Sequence, residues 1–213
     1  MRARSGRKVI GLLTGTFIAF ALPAAAQDIQ FATFPVEGDR AYANGELGEP
    51  TPAIIEKLLK DNPGLKKIVM TNVPGSDDDE ANIKASIMVH EHGLTTYVPA
   101  SGMIASGGVD FFLAGRERII EEGACIGVHA WQDDDDPTPS SELPRDHPGH
   151  KVFLDYFKKI GMDEEFYWYT LRVAKFDDMY WLSTEELLKY GVVTKIIAPP
   201  EGTSSFQLIC DHR

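Results

Sequence analysis

Cysteine and basic residues are both scarce in this sequence, and each scarcity argues against a class of function. The 213 residues contain two cysteines and no Cys-x-x-Cys pair, so neither a zinc ribbon nor a dithiol redox motif is expected. Lysine and arginine total 21 against 32 aspartates and glutamates, which gives a formal net charge of −11. A negatively charged surface repels phosphate groups, so neither nucleic acid nor an anionic membrane is expected as a partner.

The sequence also lacks an apolar run long enough for a stable membrane span. An apolar segment at residues 9–22 follows a basic head at residues 2–8 and precedes three alanines at 24–26. This order is typical of a cleaved signal for general secretion to the periplasm, which we predict over residues 1–26, with an uncleaved anchor as the alternative. The remainder, residues 27–213, is long enough for one domain and carries a net charge of −15, because the signal holds four basic and no acidic residues.

Export would place Cys125 and Cys210 in an oxidising compartment, where they could pair. A disulfide that closes a loop of this length stabilises a fold by roughly 4 kcal/mol when it is unstrained. Two separate thiols, with Cys125 buried in a strand, are the alternative that the sequence leaves open.

Apolar segments alternate with helix signals in the first half of the remaining chain. Residues 31–36, 42–47 and 66–71 have the composition of strands. Thr51 followed by Pro52 is a typical helix start, with Thr51 as the N-cap and an apolar face at the spacing of a buried helix. The alternation predicts an α/β fold in which a parallel sheet is covered by helices.

Acidic runs and histidine pairs in the sequence favour structural roles over metal binding. The run at residues 77–80 begins a predicted helix that stops at Gly93, where negative charge interacts favourably with the helix dipole. Four aspartates at 133–136 lack the spacing of a calcium loop and are interpreted as part of a solvated, proline-rich loop. His147 and His150 flank a Pro-Gly turn, and two histidines alone are a weak indication of a metal site. From these patterns together we expect neither a metal nor a cofactor.

The segment around Ser106 predicts a strand, a tight turn and then a helix. Residues 95–99 are rich in strand-forming side chains, small residues follow, and an apolar segment at 109–113 ends at a glycine. A serine in such a turn lies where free N–H groups and the helix dipole can stabilise an oxyanion. The alternative is a serine that only caps the helix. Ile104 stands where a nucleophile elbow has its first glycine, so an α/β-hydrolase is not indicated.

A second reactive group, His129, ends the predicted strand at residues 124–129. Reacting groups gather at strand ends of α/β sheets, although a lone histidine is usually structural. In this sequence Ser106 is the candidate partner of His129. By contrast, His90 and His92 are two residues apart and face different sides of a helix, which excludes the His-x-x-x-His pair of a zincin.

These residues carry a resemblance to a known family. Residues 102–108, the helix that follows them and a strand ending in histidine 23 residues after Ser106 resemble the Clp protease proteolytic subunit. The match is closer to exported relatives within the Clp protease/crotonase superfamily. The resemblance implies a repeated ββα spiral with a mostly parallel sheet and a projecting C-terminal helical region. It also implies that Ser106 is the nucleophile and His129 the base of a Ser-His-Asp triad.

The resemblance extends to an oxyanion loop, with two departures. Residues 72–76 resemble the family's Asn-Ser-Pro-Gly-Gly segment, which implies that the N–H groups of Gly75 or Ser76 and of Gly107 bind the carbonyl oxygen. Ser76 replaces the second glycine of that segment, and Gly107-Gly108 replaces Met-Gly. Losing one oxyanion donor would cost about 3 kcal/mol of transition-state stabilisation.

Residues 176–183 resemble the family segment that bears the third triad member. The strict offset from Leu182 falls on Met179, so Asp178 fits only with one inserted residue. We predict Asp178 as the third member, with Asp177 as the second choice. A capping box at residues 183–186 then begins a helix.

Two amphipathic helices between the triad segments carry many aromatic residues. Residues 151–160 form one predicted helix that stops at Gly161, and Asp163 caps the next. Aromatic side chains at helical spacing are typical of a core or of a subunit interface, and we expect homo-oligomers that associate through them.

The leading hypothesis is therefore an exported Clp-like serine hydrolase, a peptidase that acts on a peptide or small acyl substrate without a cofactor. The alternative is a catalytically silent member that serves as a binding or assembly protein, motivated by Ser76 and the shifted aspartate. Acyl-CoA chemistry of the crotonase type is a third option, which export disfavours because CoA thioesters are cytoplasmic substrates.

Overall fold

The computed structural model describes residues 30–133, residues 138–201 and residue 210. The predicted secretion signal, residues 1–26, lies outside these described residues, as does most of the aspartate run at 133–136. In the part of the chain that is described, no helix combines the length and the apolar composition that a membrane crossing requires.

The chain alternates strands with helices. The strands are β1 (Val36–Glu37), β2 (Arg40–Asn44), β3 (Lys67–Val73), β4 (Thr95–Val98), β5 (Met103–Ala105), β6 (Arg118–Glu121), β7 (Cys125–Val128), β8 (Tyr180–Trp181) and β9 (Lys195–Ile197). The helices are α1 (Thr51–Asp61), α2 (Asp79–Glu91), α3 (Gly107–Leu113), α4 (Lys151–Ile160), α5 (Glu164–Val173) and α6 (Thr184–Lys189). A single 3₁₀ turn, Pro148–His150, precedes α4 within the described residues.

The sheet is mostly parallel and forks at β3. The first half of β3 pairs with β4, and its last two residues pair with β5. Strand β4 then pairs with β6, while β5 pairs with β7, all in parallel register. Each ββ unit therefore repeats the pairing of the unit before it, and a helix follows β5 as α3. This arrangement confirms the predicted α/β fold with a repeated ββα spiral; antiparallel pairs occur at β1 with β2 and at β7 with β8.

Some predicted element boundaries were wrong near the start of the domain. Phe31 and Thr33 form isolated bridges rather than a strand over 31–36. Thr51 is the first helical residue of α1 rather than its cap, and Pro50 is the N-cap. The Thr51 hydroxyl instead accepts a hydrogen bond from the Gly48 N–H at 2.8 Å, because its side chain is buried and turned back towards the preceding turn.

Three other helix ends follow the sequence signals. Asp78, within the acidic run, caps α2 by accepting a hydrogen bond from the Ala81 N–H at 2.9 Å. Gly161 ends α4 in the left-handed conformation, φ 76°, which glycine adopts without strain. Ser183 begins α6 with the predicted capping box.

The aromatic residues of α4 and α5 pack into the core of their own chain. The buried set comprises Phe153, Tyr156, Phe157, Phe166, Tyr167 and Trp168. Burial of each such side chain stabilises the folded state by about 1.5–3 kcal/mol or more. The hydroxyl of Tyr156 donates to the Asp110 backbone carbonyl at 2.7 Å, which ties α4 to α3.

A disulfide joins Cys125 in β7 to Cys210, with 5.6 Å between their Cα atoms and a sequence separation of 85. Of the two alternatives that the sequence left open, the structure therefore has the bridge. Because it closes a long loop, it restricts the unfolded chain strongly.

Candidate active site

Ser106 lies at the turn between β5 and α3 in a strained backbone conformation. Its φ of 50° and ψ of −131° make it the only non-glycine residue with positive φ in the described part of the chain. Such a conformation costs about 1–3 kcal/mol and is concentrated at functional sites. Its N–H donates to the Gly127 carbonyl at 3.0 Å and its carbonyl accepts from the Val109 N–H at 2.8 Å. These hydrogen bonds to the sheet and to the helix keep Ser106 in its strained conformation.

The side chain of Ser106 does not serve as a helix cap. Although Ser106 occupies the N-cap position of α3, its hydroxyl accepts no capping hydrogen bond. The simple capping interpretation therefore has no support from the geometry, and the hydroxyl is left available at the start of the helix.

Backbone groups of the loop before α2 lie close to this hydroxyl. A Cβ atom built on Gly75 would lie 3.5 Å from the Ser106 Cβ and 3.8 Å from its Oγ, so the Gly75 backbone passes beside the serine. The loop is held by Leu47, whose N–H donates to the Gly75 carbonyl at 2.9 Å. In the described structure, the N–H groups of Gly75, Ser76 and Gly107 donate to no other group. Donors of this kind are able to bind a developing oxyanion.

The two departures from the family pattern compensate each other in space. A Cβ atom on Gly107 would lie 2.7 Å from the Ser76 Cβ and 2.9 Å from the Asn82 amide nitrogen. The Ser76 side chain thus fills the space that a larger residue at position 107 would need. Its hydroxyl also donates to the Asp79 carboxylate at 2.6 Å, which glycine at position 76 could not do.

His129 follows β7 directly and lines the same cavity as Ser106. Burial lowers the pKa of His129, although nearby backbone groups of Phe176 and Ala130 and the charge of Asp79 oppose this shift. Its Nδ1 atom is buried and has no hydrogen-bond partner among the described residues. The imidazole is therefore neutral at pH 7 and able to accept a proton, although no hydrogen bond joins it to Ser106 in the described structure.

The structure does not bring Asp178 together with Ser106 and His129. Asp178 and Asp177 are both exposed, and the Asp178 carboxylate accepts a hydrogen bond from the Met179 N–H at 2.8 Å. Met179, at the strict family offset, packs instead against β7, where a Cβ on Gly127 would lie 2.8 Å from its sulfur. The role of Asp178 as a triad member stays a prediction.

Two aspartates that the sequence analysis did not single out as site residues line the cavity, Asp79 from α2 and Asp110 from α3. Burial raises the pKa of Asp79 and the charge of Asp78 raises it further, whereas the hydrogen bond from Ser76 and the interaction with His129 lower it. Burial also raises the pKa of Asp110 well above its usual range, and Asp79 raises it further. Asp110 could have been noticed as a lone charge within the apolar segment 109–113, whereas Asp79 was hidden within an acidic helix start.

The cavity occupies about 40 Å³ between the start of α3, the end of β7 and the helices α4 and α5. Five of its lining residues are Trp, Phe or Tyr. Its lining residues are Asp79, Ser106, Gly107, Val109, Asp110, Val128, His129, Trp131, Phe153, Phe157, Phe166, Tyr167 and Thr170.

The residues considered for metal binding have other partners. Asp78 caps α2, His147 accepts a hydrogen bond from the Gly149 N–H at 3.2 Å, and His150 is buried against the Tyr167 hydroxyl at 2.7 Å. Within the described ranges, no group of three or more His, Cys, Asp or Glu side chains is placed to hold a metal ion.

Comparisons with known proteins give likenesses of fold at low identity. No family model and no curated protein matches the chain. Two structures of a membrane-bound stomatin-specific protease resemble it, one with 15% identity, a TM-score of 0.48, and coverage of 76% of this chain and 81% of the other. The second, in complex with a substrate peptide, has 17% identity, a TM-score of 0.45 and coverage of 71% and 72%. An enoyl-CoA hydratase from Shewanella pealeana has 10% identity, a TM-score of 0.46 and coverage of 79% and 69%. With TM-scores below 0.5, these likenesses assign neither a family nor an activity.

Proposed function

We propose that this chain is an exported serine hydrolase that cleaves peptide bonds, with Ser106 as nucleophile and His129 as general base. The observation that carries the proposal is the strained Ser106 at the start of α3, which lines a cavity with His129 and whose hydroxyl has no hydrogen-bond partner among the described residues. A serine hydroxyl is too weakly acidic to attack unaided at neutral pH, so it needs a neutral base beside it.

The reaction follows from this geometry. The Ser106 Oγ attacks the substrate carbonyl carbon while its proton passes to His129, and the carbonyl oxygen becomes an oxyanion. The N–H groups of Gly107 and of Gly75 or Ser76 stabilise that charge. His129 then gives its proton to the departing amine, which leaves an acyl-enzyme. Water attacks this ester while His129 takes a proton from it, and His129 then returns that proton to the Ser106 Oγ as the acyl–oxygen bond breaks, which releases the acid and restores Ser106.

Asp79 is our proposal for the carboxylate that stabilises the His129 imidazolium. It lines the cavity with His129, its charge raises the pKa of His129, and the Ser76 hydroxyl orients it at 2.6 Å. Asp178 is the candidate from the sequence, and its side chain is exposed and is not among the residues that line the cavity. The two assignments predict different sensitive variants.

A fluorophosphonate probe tests the proposal, because it reacts covalently with activated serines. The wild-type protein should be labelled, Ser106→Ala should not, and Ser101→Ala, at an exposed serine outside the cavity, should label like the wild type. His129→Gln should slow labelling by about 10²–10⁴-fold. A folded wild-type protein that stays unlabelled, or label that persists in Ser106→Ala, refutes the proposal.

The same assay separates the two carboxylates. Asp79→Asn should slow labelling by about 10²-fold or more if Asp79 stabilises the imidazolium, while Asp178→Asn should then have little effect. The reverse result would assign the role to Asp178.

A catalytically silent binding or assembly protein is the second candidate. It is favoured by the acidic surroundings of Ser106, because negative charge opposes an oxyanion. Burial and then Asp77 raise the pKa of Glu46, whose Oε1 would lie 4.0 Å from a Cβ on Gly75. This candidate predicts a folded protein that fluorophosphonates do not label.

Export and self-association also stay proposals. The disulfide between Cys125 and Cys210 supports export, because such bonds persist in oxidising compartments. A periplasmic product that begins at Gln27, identified by mass spectrometry, would establish it. The aromatic residues that suggested self-association are buried within the chain itself, so an oligomer would have to use other surfaces.

A further inference from the structure

We propose that the cavity beside Ser106 is a subsite for a positively charged group of the substrate, an ammonium such as the end of a lysine side chain. The inference rests on the proposed function and adds to it the chemical class of substrate. It is carried by the charges that line the cavity, by its aromatic wall and by its size.

The charged side chains that line the cavity are acidic. Asp79 and Asp110 both line it, and no lysine or arginine is among the described lining residues. His129 is the only basic residue in the described lining, and burial lowers its pKa, which favours its neutral form. A cation that entered would therefore meet no competing positive charge, and it would favour the ionised form of both carboxyls.

Asp110 in particular has no partner that would satisfy an ionised carboxylate. In the described structure its side chain accepts no hydrogen bond, since the nearby Tyr156 hydroxyl donates to the Asp110 backbone carbonyl at 2.7 Å. Burial and the neighbouring Asp79 raise the pKa of Asp110. A bound ammonium would supply both the counter-charge and the hydrogen-bond donors that Asp110 lacks.

Aromatic side chains also line the cavity. Trp131 stacks on Phe153 with ring centroids 5.8 Å apart, and Phe153 stacks on Tyr167 at 5.4 Å. Aromatic faces attract cations, and the attraction is worth about 0.5–2 kcal/mol depending on desolvation. A lining of carboxyl groups and aromatic rings suits a cation better than a neutral apolar side chain.

The size of the cavity limits the group. Its volume of about 40 Å³ exceeds the roughly 10–15 Å³ that one water molecule needs. It accommodates an ammonium group with an adjoining methylene.

Hydrolysis of two matched esters tests the subsite. N-acetyl-lysine and N-acetyl-norleucine p-nitrophenyl esters share four side-chain carbons and differ in the terminal ammonium. The wild-type protein should hydrolyse the lysine ester with a kcat/KM at least about tenfold higher. Asp110→Asn should reduce that ratio by about tenfold, with a much smaller change for the norleucine ester. Asp61→Asn, at an exposed aspartate on α1, should leave both rates unchanged.

The outcomes separate the subsite from the proposed function. If neither ester is hydrolysed in a Ser106-dependent manner, the proposed function fails. If both are hydrolysed but the lysine ester has no advantage, or its advantage survives in Asp110→Asn, the subsite is refuted.

A binding measurement keeps the subsite testable without turnover. Titration of the folded protein with n-butylammonium chloride, followed by the fluorescence of the cavity residue Trp131, should show saturable binding that n-butanol and sodium chloride do not reproduce. Asp110→Asn should weaken this binding by about tenfold or more. No saturable change in the wild type, or equal binding to Asp110→Asn, overturns the proposal.

Discussion

Replacing Gly107 by alanine should destabilise the fold through one specific contact, the one with Ser76. Alanine normally stabilises a helical position relative to glycine by about 0.5–1 kcal/mol. Here the added Cβ would lie 2.7 Å from the Ser76 Cβ, a separation that atoms reach only if one of them moves. Because the Ser76 Cβ is fixed to the backbone, rotation of a side chain does not relieve the contact.

The magnitude follows from overpacking. Forcing a methyl group into a filled space costs about 1–3 kcal/mol, so Gly107→Ala should destabilise the protein by about 1–2 kcal/mol after the helix gain. In a Ser76→Gly background the serine contact disappears, and only the approach to the Asn82 amide at 2.9 Å remains. The double-mutant cycle should therefore show a favourable coupling of about 1–3 kcal/mol between the two substitutions.

Urea denaturation of the oxidised protein measures the four free energies of unfolding, and calorimetry should show a Tm change of about 2–4 °C for each kcal/mol. Gly108→Ala is the matched control, because a Cβ there would press on the Val73 backbone carbonyl, which Ser76→Gly does not relieve. Effects of Gly107→Ala and Ser76→Gly that add within about 0.5 kcal/mol would refute the reasoning.

Three further predictions concern stability. Reduction of the bond between Cys125 and Cys210, which are 85 residues apart, should lower the free energy of unfolding by about 4.5 kcal/mol; urea curves with and without reductant that coincide would contradict this. Because burial raises the pKa of Asp110, the folded state is stabilised while this carboxyl is protonated and loses that stability as pH rises above about 3.9. Asp110→Asn should thus match the wild type near pH 3 and exceed its Tm at pH 8, and a lower Tm at pH 8 would count against the assignment. Burial opposes ionisation of Glu186, yet hydrogen bonds from Ser183 and two tyrosines lower its pKa to about 2. The stabilisation of the folded state by ionised Glu186 is therefore present above pH 4.5 and is lost as the pH falls towards 2. Glu186→Gln should lower Tm modestly at pH 7 and leave it unchanged near pH 2, and an equal loss at both pH values would show that the charge is not responsible.

The sequence by itself determined the features that depend on neighbouring residues. The alternation of strands and helices, the acidic start of α2, the Gly161 stop and the capping box of α6 were all predicted. Each follows from hydrophobic period, capping or glycine conformation over a few residues. The turn at Ser106 and the histidine after β7 were found in the same way.

Only the tertiary structure decided which groups share the cavity with the serine. Asp79 and His129 are far apart in sequence and line one cavity because β3, β5 and β7 pair side by side. Asp178 lies two residues after Phe176, whose backbone interacts with the His129 ring, and yet the Asp178 side chain is exposed. The space shared by Ser76 and Gly107 likewise exists only after the strands pair. Such contacts depend on sheet register and helix packing over the whole chain, and local sequence patterns do not encode them.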